Sequence, residues 1–302
     1  MKNLNSFDKD EVNLQFVHYR MIRMALSNAK YSYSKAGFLT ALYYFITRYF
    51  MPLGIIKNYK EQKSTSLKSL NELNNDGYTK LQDYPIEDTN KLTDYFMEKV
   101  SIQDKKSYQS LKDYFNFWKK KGNIRPTGIY CDGSKNPISD IAKSEEIIEI
   151  VSTYLGLKKE NIYYYAGIDA LISVGDDQII YDNYDGAVFF HRDADALKFV
   201  KFFIYLTDCF EGDGHHEYIL GSHNKFPKEL FELKRYDNKY ILRYLLDCKF
   251  VKITGNKGTA FLENTLGMHR GTKPYKNDRL AMIVCYLDKT TSKMHSNAHS
   301  VI

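Results

Sequence analysis

The chain has 302 residues, 43 Lys and Arg against 37 Asp and Glu, and a net charge of +6. Such a length fits one enzyme domain with an extension, able to bury about three-quarters of its unfolded surface. The positive charge is modest and unclustered: Trp118-Lys119-Lys120-Lys121 lacks the aromatic interleaving of a single-strand binder and reads as a solvated helix end, so no nucleic-acid partner is expected.

At the N-terminus, Met1 to Asp10 is polar and carries acids where a secretory signal needs an apolar run, which sets the expectation of a cytoplasmic protein. The four cysteines agree, because Cys131, Cys209, Cys248 and Cys285 show no Cys-x-x-Cys spacing, and Cys209 and Cys285 lie in or beside apolar strands. Residues 17–56 read as helical, with a strongly aromatic stretch at 38–51. Arg48 and Pro52 spoil it as a spanning helix, which wants about 20 uninterrupted apolar residues. Packing against the outer helices of the main domain, or across a dimer interface, is the favoured expectation. Because Arg20, Arg23, Lys30, Lys35 and Lys57 flank the rings, peripheral contact with the inner face of a membrane is the alternative. Residues 60–75 are rich in Ser, Lys and Asn and read as a linker. The chain therefore divides into an N-terminal helical extension and linker (1–65), a main domain (66–290) and a polar tail (291–302).

Within the main domain, helices over 88–100 and 144–155 are predicted to pack outside a sheet. Ala187-Val188-Phe189-Phe190 and residues 199–206 are aromatic and β-branched runs that read as buried strands. Residues 254–262 give a turn and a further strand, which delivers the chain to Gly267-Met268-His269-Arg270-Gly271-Thr272. Arg279 then opens a last apolar strand, Leu280-Ala281-Met282-Ile283-Val284-Cys285-Tyr286.

The chemistry concentrates in His191-Arg192-Asp193, His269 and Arg279. In an extended segment alternate side chains share a face, so His191 and Asp193 can point at one atom while Arg192 points away. Two imidazoles and one carboxylate on one face of an iron leave its opposite face open, the 2-His-1-carboxylate arrangement of non-haem Fe(II) oxygenases. A His-x-Asp alone is common; its flanking strands and the order of the later pieces give it weight. Together with Phe203-Ile204-Tyr205-Leu206-Thr207-Asp208 and Tyr218-Ile219-Leu220-Gly221-Ser222-His223, these pieces resemble the phytanoyl-CoA dioxygenase family of Fe(II)/2-oxoglutarate oxygenases, and Asp76-Gly77-Tyr78-Thr79-Lys80-Leu81 is similar to that family's opening strand, so the resemblance covers roughly residues 70 to 288.

That resemblance implies a double-stranded β-helix (jelly roll) with flanking helices, working as an Fe(II)- and 2-oxoglutarate-dependent oxygenase that uses O2 and releases succinate and CO2. It places the metal ligands on His191, Asp193 and His269, and the anchor for the distal carboxylate of 2-oxoglutarate on Arg279, whose guanidinium grips a carboxylate bidentately. A small hydroxyl residue usual two places after the distal His is replaced by Gly271, with Thr272 as the nearest substitute. The loop Gly214-His215-His216-Glu217-Tyr218 and the Gly-x-His-Arg-Gly motif resemble bacterial members associated with surface polysaccharides. A glycan or nucleotide-sugar precursor is therefore the first expectation for substrate, ahead of a small or lipid-linked metabolite. A jelly-roll binding module without activity is the reading of a different class, which has no need for all four site residues.

Other polar residues admit plainer readings. His215-His216-Glu217 is a rival metal cluster, but Gly212-Asp213-Gly214 before it make a loop and adjacent His residues on a strand face opposite ways. His216 could line the pocket mouth, and His223 is expected to fix its loop through hydrogen bonds. In the alternating run after the metal pair, Phe199, Lys201, Phe203, Tyr205 and Thr207 share one face. If that face lines the barrel, Lys201 needs an acidic partner, or a substrate or co-substrate anion; the favoured alternative is a strand end reaching solvent. Asp195 reads as a surface group or a supporting neighbour of the site.

Overall fold

A computed structural model describes residues 64–99, 110–120, 127–131, 137–173, 188–193, 195, 199–224, 230, 235–245 and 248–288. The aromatic N-terminal stretch and the polar tail, with the expectations attached to them, lie outside the described residues. Among the described residues no helix is long and apolar enough to cross a membrane.

The first element corrects a sequence expectation. Residues 64–75, inside the expected linker, form helix α1 (Ser64–Asn75). Its buried positions, Ser66, Ser69, Leu70 and Leu73, recur at helical spacing. Only two of the four are apolar, so the stripe was diluted below what composition reveals. The chain turns into strand β1 (Tyr78–Lys80), helices α2 (Ile86–Lys99) and α3 (Leu111–Lys120), strand β2 (Thr127–Cys131) and helices α4 (Ile138–Ala142) and α5 (Glu145–Leu155). Helix α5 has Glu145 and Glu146 in its first turn, where acids favour the helix dipole. It ends at Gly156, whose φ of 66° allows the Leu157 N–H to reach the Ser152 carbonyl at 2.9 Å.

Strands β3 (Ile162–Leu171), β4 (Phe199–Tyr205) and β5 (His216–Ile219) follow, then helix α6 (Asn238–Leu245) and strands β6 (Phe250–Ile253), β7 (Ala260–Glu263), β8 (His269–Gly271) and β9 (Arg279–Asp288). One sheet runs β1-β7-β4-β9-β3-β2 and the other β6-β5-β8, with antiparallel pairing throughout. The architecture is a jelly-roll core of antiparallel sheets flanked by helices, the α+β class expected from sequence.

Strand β4 is buried on both faces and divides the interior. Val200, Phe202, Ile204 and Leu206 join the large core that packs the sheet against Leu70, Leu73, Leu92, Phe96, Ile150 and Val151 of the helices. Phe203 and Tyr205 face the other way, into a second cluster with Phe261, Ile253 and Ala281. Each such side chain removed from water is worth about 1.5–3 kcal/mol, and β4 contributes them on both sides. The sheet is thereby clamped from outside, which leaves the inner face to carry polar groups. Lys201 is on that inner face.

Candidate metal centre

The backbone brings the two histidines together. His191 and His269 form an isolated antiparallel bridge in which the His191 N–H donates to the His269 carbonyl at 2.9 Å and the His269 N–H returns the bond at 3.0 Å. The run expected to be a continuous strand before His191 is therefore different in detail. Phe190 bridges Tyr236, His191 bridges His269, and the Asp193 N–H reaches the Thr265 carbonyl at 2.8 Å, so the segment is pinned by single contacts to three partners. The buried Arg192 between them donates to the Leu230 carbonyl.

His191, Asp193 and His269 each offer a ligand atom, and these atoms lie within 4.8 Å of one another. Among the described residues this is the one group of three or more His, Cys, Asp or Glu arranged so. Both imidazoles present the same nitrogen to the site. His191 Nδ1 donates to the Phe189 carbonyl at 2.8 Å and His269 Nδ1 to the Gly267 carbonyl at 2.9 Å, which fixes the tautomer and leaves each Nε2 facing Asp193, at 3.8 and 3.4 Å. Burial, and then the charge of His269, hold His191 well below the usual imidazole range. Burial also opposes charge on His269, but Asp193 outweighs it and the net shift is upward. Burial works against ionised Asp193 too, yet Lys201 and His269 hold its carboxyl well below the ordinary range. A neutral imidazole, a second one whose proton a cation can displace, and an ionised carboxylate make a donor set suited to a divalent metal of the Fe(II) type.

Lys201 does not reach solvent at a strand end. Its side chain is 14% exposed and its Nζ sits 2.7 Å from Asp193 Oδ2 and 2.7 Å from Asp195 Oδ2. Burial alone would neutralise the amine; the two carboxylates overcome it and keep the ammonium charged. The reason is register, since Lys201 stands opposite Glu263 and Cys285 in a sheet whose inner face is closed.

Behind His269 lies a buried pair. His216 stacks on His269 with ring centroids 5.4 Å apart and planes 17° apart, and its Nε2 is 3.1 Å from Oε1 of Glu263, which has no exposed surface. Burial pushes the Glu263 carboxyl up to about 8 and His216 well below the imidazole range. At neutral pH the pair is therefore two neutral groups joined by a hydrogen bond from the acid to Nε2. His215, its neighbour, turns the opposite way, with Nδ1 3.1 Å from Thr272 Oγ1 and Nε2 3.3 Å from Glu217 Oε1. Residues 215–217 are thus a buried strand entry and not the exposed loop their glycines suggest. His223 fixes its turn through the Asn74 carbonyl at 3.2 Å.

Arg279 opens β9 fully buried. Nη1 donates to the Gly214 carbonyl at 2.8 Å, Nη2 donates to Asp169 Oδ2, and Nε has no hydrogen-bond partner among the described residues. Gly271 abuts the guanidinium: a Cβ there would stand 3.2 Å from Nη1, 3.4 Å from Nη2 and 3.1 Å from Leu171 Cδ1. A hydroxyl side chain at 271 would require these neighbours to give by a few tenths of an ångström. The hydroxyl of Thr272 is taken up with His215, away from this contact.

Sequence reasoning passed over Asp169 and Glu263. Asp169 lies in β3, whose run Ile162-Tyr163-Tyr164-Tyr165 carries an aromatic strand signal, and Glu263 closes the apolar run Ala260-Phe261-Leu262.

No protein-family profile matches the chain, and no curated protein matches it either. Solved structures do. EctD from S. alaskensis with 2-oxoglutarate and 5-hydroxyectoine is 13% identical with a TM-score of 0.55, over 77% of this chain and 80% of that one. The same protein with bound Fe gives 14% and 0.52, over 74% of this chain and 77% of that one. EvdO2 from Micromonospora carbonacea var. aurantiaca complexed with 2-oxoglutarate is 12% identical with a TM-score of 0.51, over 73% of this chain and 90% of that one. At these identities the likeness is one of fold, and it is the jelly-roll fold that this chain shares with them.

Proposed function

We propose that the protein is an Fe(II)- and 2-oxoglutarate-dependent oxygenase, with His191, Asp193 and His269 as metal ligands and Arg279 as the anchor of the 2-oxoglutarate distal carboxylate. One observation carries this reading: two buried imidazoles and a partly buried carboxylate of the 2-His-1-carboxylate type converge, and the chain also holds a buried guanidinium, Arg279, whose Nε has no hydrogen-bond partner among the described residues. Solved structures of the same fold with Fe or 2-oxoglutarate bound support it.

Bound iron would supply oxidation of a substrate C–H bond by O2, coupled to decarboxylation of 2-oxoglutarate to succinate and CO2. The chain's own part is to hold and orient. Phe189 and Gly267 carbonyls fix the imidazole rings, Lys201 compensates the carboxylate, and Phe203 and Phe261, stacked 4.7 Å apart, close the floor against water. An intact carboxylate at Asp193 favours hydroxylation or a related oxidation. Within this class the motif resemblance points to a phytanoyl-CoA dioxygenase-like enzyme acting on a small molecule or glycan precursor.

The test is anaerobic addition of Fe(II) and 2-oxoglutarate. The wild type should develop the weak visible charge-transfer band of the chelate and form succinate once substrate and O2 are given. His191→Ala and His269→Ala should lose the band; an unchanged band in both variants refutes the ligand assignment.

A further inference from the structure

Arg279 already holds a carboxylate. Asp169 Oδ2 accepts from Nη2, and the pair is closed off from water, with the Arg279 side chain 1% and the Asp169 side chain 15% exposed. The contact is built into the sheet: β3 and β9 are antiparallel with Asp169 opposite Ala281 and Leu171 opposite Arg279. Asp169 and Arg279 are thus diagonal neighbours on one face, within reach for a long side chain meeting a short one. Asp169 has one short stem on a strand paired on both edges, so it has little freedom to withdraw.

We propose that Asp169 sets the affinity of the Arg279 pocket for a ligand carboxylate, as a resident counter-ion with which the distal carboxylate of 2-oxoglutarate must share the guanidinium. The inference rests on the reading of Arg279 as the 2-oxoglutarate anchor. A guanidinium has five N–H donors. Gly214 and Asp169 take one on each Nη, which leaves the unpartnered Nε and the remaining Nη hydrogens for an incoming fork. Both carboxylates can therefore bind at once, but two like charges on one guanidinium repel in a site that excludes water. At the effective dielectric of protein interiors that repulsion lowers affinity by between about tenfold and a hundredfold. Arg279 is 1% exposed and its Nη1 is held by the Gly214 carbonyl, so the guanidinium has little room to swing clear of Asp169. The pocket is consequently tuned to fill only at high co-substrate concentration, and its selectivity falls on the dianion's distal end.

The experiment uses the full chain, freed of metal and reloaded with Mn(II), which supports binding without turnover. Calorimetric titration compares 2-oxoglutarate with pyruvate, which chelates a metal in the same way but has no distal carboxylate. Asp169→Asn keeps an acceptor for Nη2 and removes the charge. It should bind 2-oxoglutarate at least tenfold more tightly than wild type, with pyruvate affinity unchanged within about twofold. Equal or weaker 2-oxoglutarate binding by a folded D169N overturns the inference, as does equal tightening for pyruvate. Should D169N fail to fold, Asp169→Ser carries the same expectation. The underlying reading fails separately: if neither wild type nor variant binds 2-oxoglutarate, Arg279 is no anchor. If the wild type binds, Arg279→Ala abolishes binding and D169N does not tighten it, only the role of Asp169 is lost.

Discussion

Replacing Glu263 by glutamine should stabilise the protein at alkaline pH and leave it nearly unchanged at acid pH. Glu263 has no exposed surface, and burial pushes its carboxyl up to about 8 from an ordinary value of 4.5. An acid with a raised folded-state value keeps its proton longer in the folded protein than in the unfolded chain. The folded state then binds more protons between pH 4.5 and 8, and stability falls as pH rises through that window. Above it the wild type bears the whole cost of a buried charge, on the order of 4–5 kcal/mol for a shift of this size. The glutamine side chain is a neutral isostere that can still hydrogen-bond toward His216, so it avoids that cost. Urea unfolding of the metal-free wild type and Glu263→Gln at pH 5, 7 and 9, with the slope checked for constancy, should give a stability difference that grows by several kcal/mol across the series. A difference that stays flat from pH 5 to 9 would show that Glu263 is ionised at neutral pH, and the neutral His216–Glu263 pair would have to be abandoned.

Two further outcomes follow from the charged groups. Arg279→Ala removes a buried, charge-assisted contact worth on the order of 2–5 kcal/mol, so 2-oxoglutarate binding should weaken tenfold or much more while metal content stays at the wild-type level; wild-type affinity in that variant would point to Lys201 as the anchor. Lys201→Met removes the cation that Asp193 and Asp195 share and should cost the metal-free protein about 3–5 kcal/mol. Because a divalent cation can take over that compensation, Mn(II) should raise the melting temperature of the variant more than that of wild type, and equal shifts would count against the ion pair's role at the site.

The site was legible in the sequence because its chemistry is encoded in residue types that few other roles require together. His191, Asp193, His269 and Arg279 could each be ordinary alone, but the strands around them, β4, β7 and β9, carry largely apolar runs that reveal where the sheet is. Helices α2 and α5 were equally plain, whereas strand β1 came only through the family resemblance. What escaped notice was polar and buried. Helix α1 hides because half its inward stripe is serine, Asp169 sits between two isoleucine-containing stretches that alone look like strand, and Glu263 resembles the charged end of a strand until the three-dimensional neighbours are known. A buried ionisable group leaves no periodic trace, because its justification is a partner distant in sequence: Arg279 for Asp169, His216 for Glu263. For the same reason alternation offered the inner face for Lys201 only as the less favoured reading, and its partners Asp193 and Asp195 were not foreseen.

The reciprocal bridge between His191 and His269 joins two points about 80 residues apart in the chain, and closing a loop of that length costs several kcal/mol of chain entropy. Two backbone hydrogen bonds offset little of it, so much of the burden falls on the packing of the strands on either side. A cation held by both imidazoles would act as a reversible cross-link at the same place. Iron loading would then govern more than turnover: the segment around His191 should be among the first regions to open in the metal-starved protein, and proteolysis or hydrogen exchange there would report the iron supply of the cell before global stability changes.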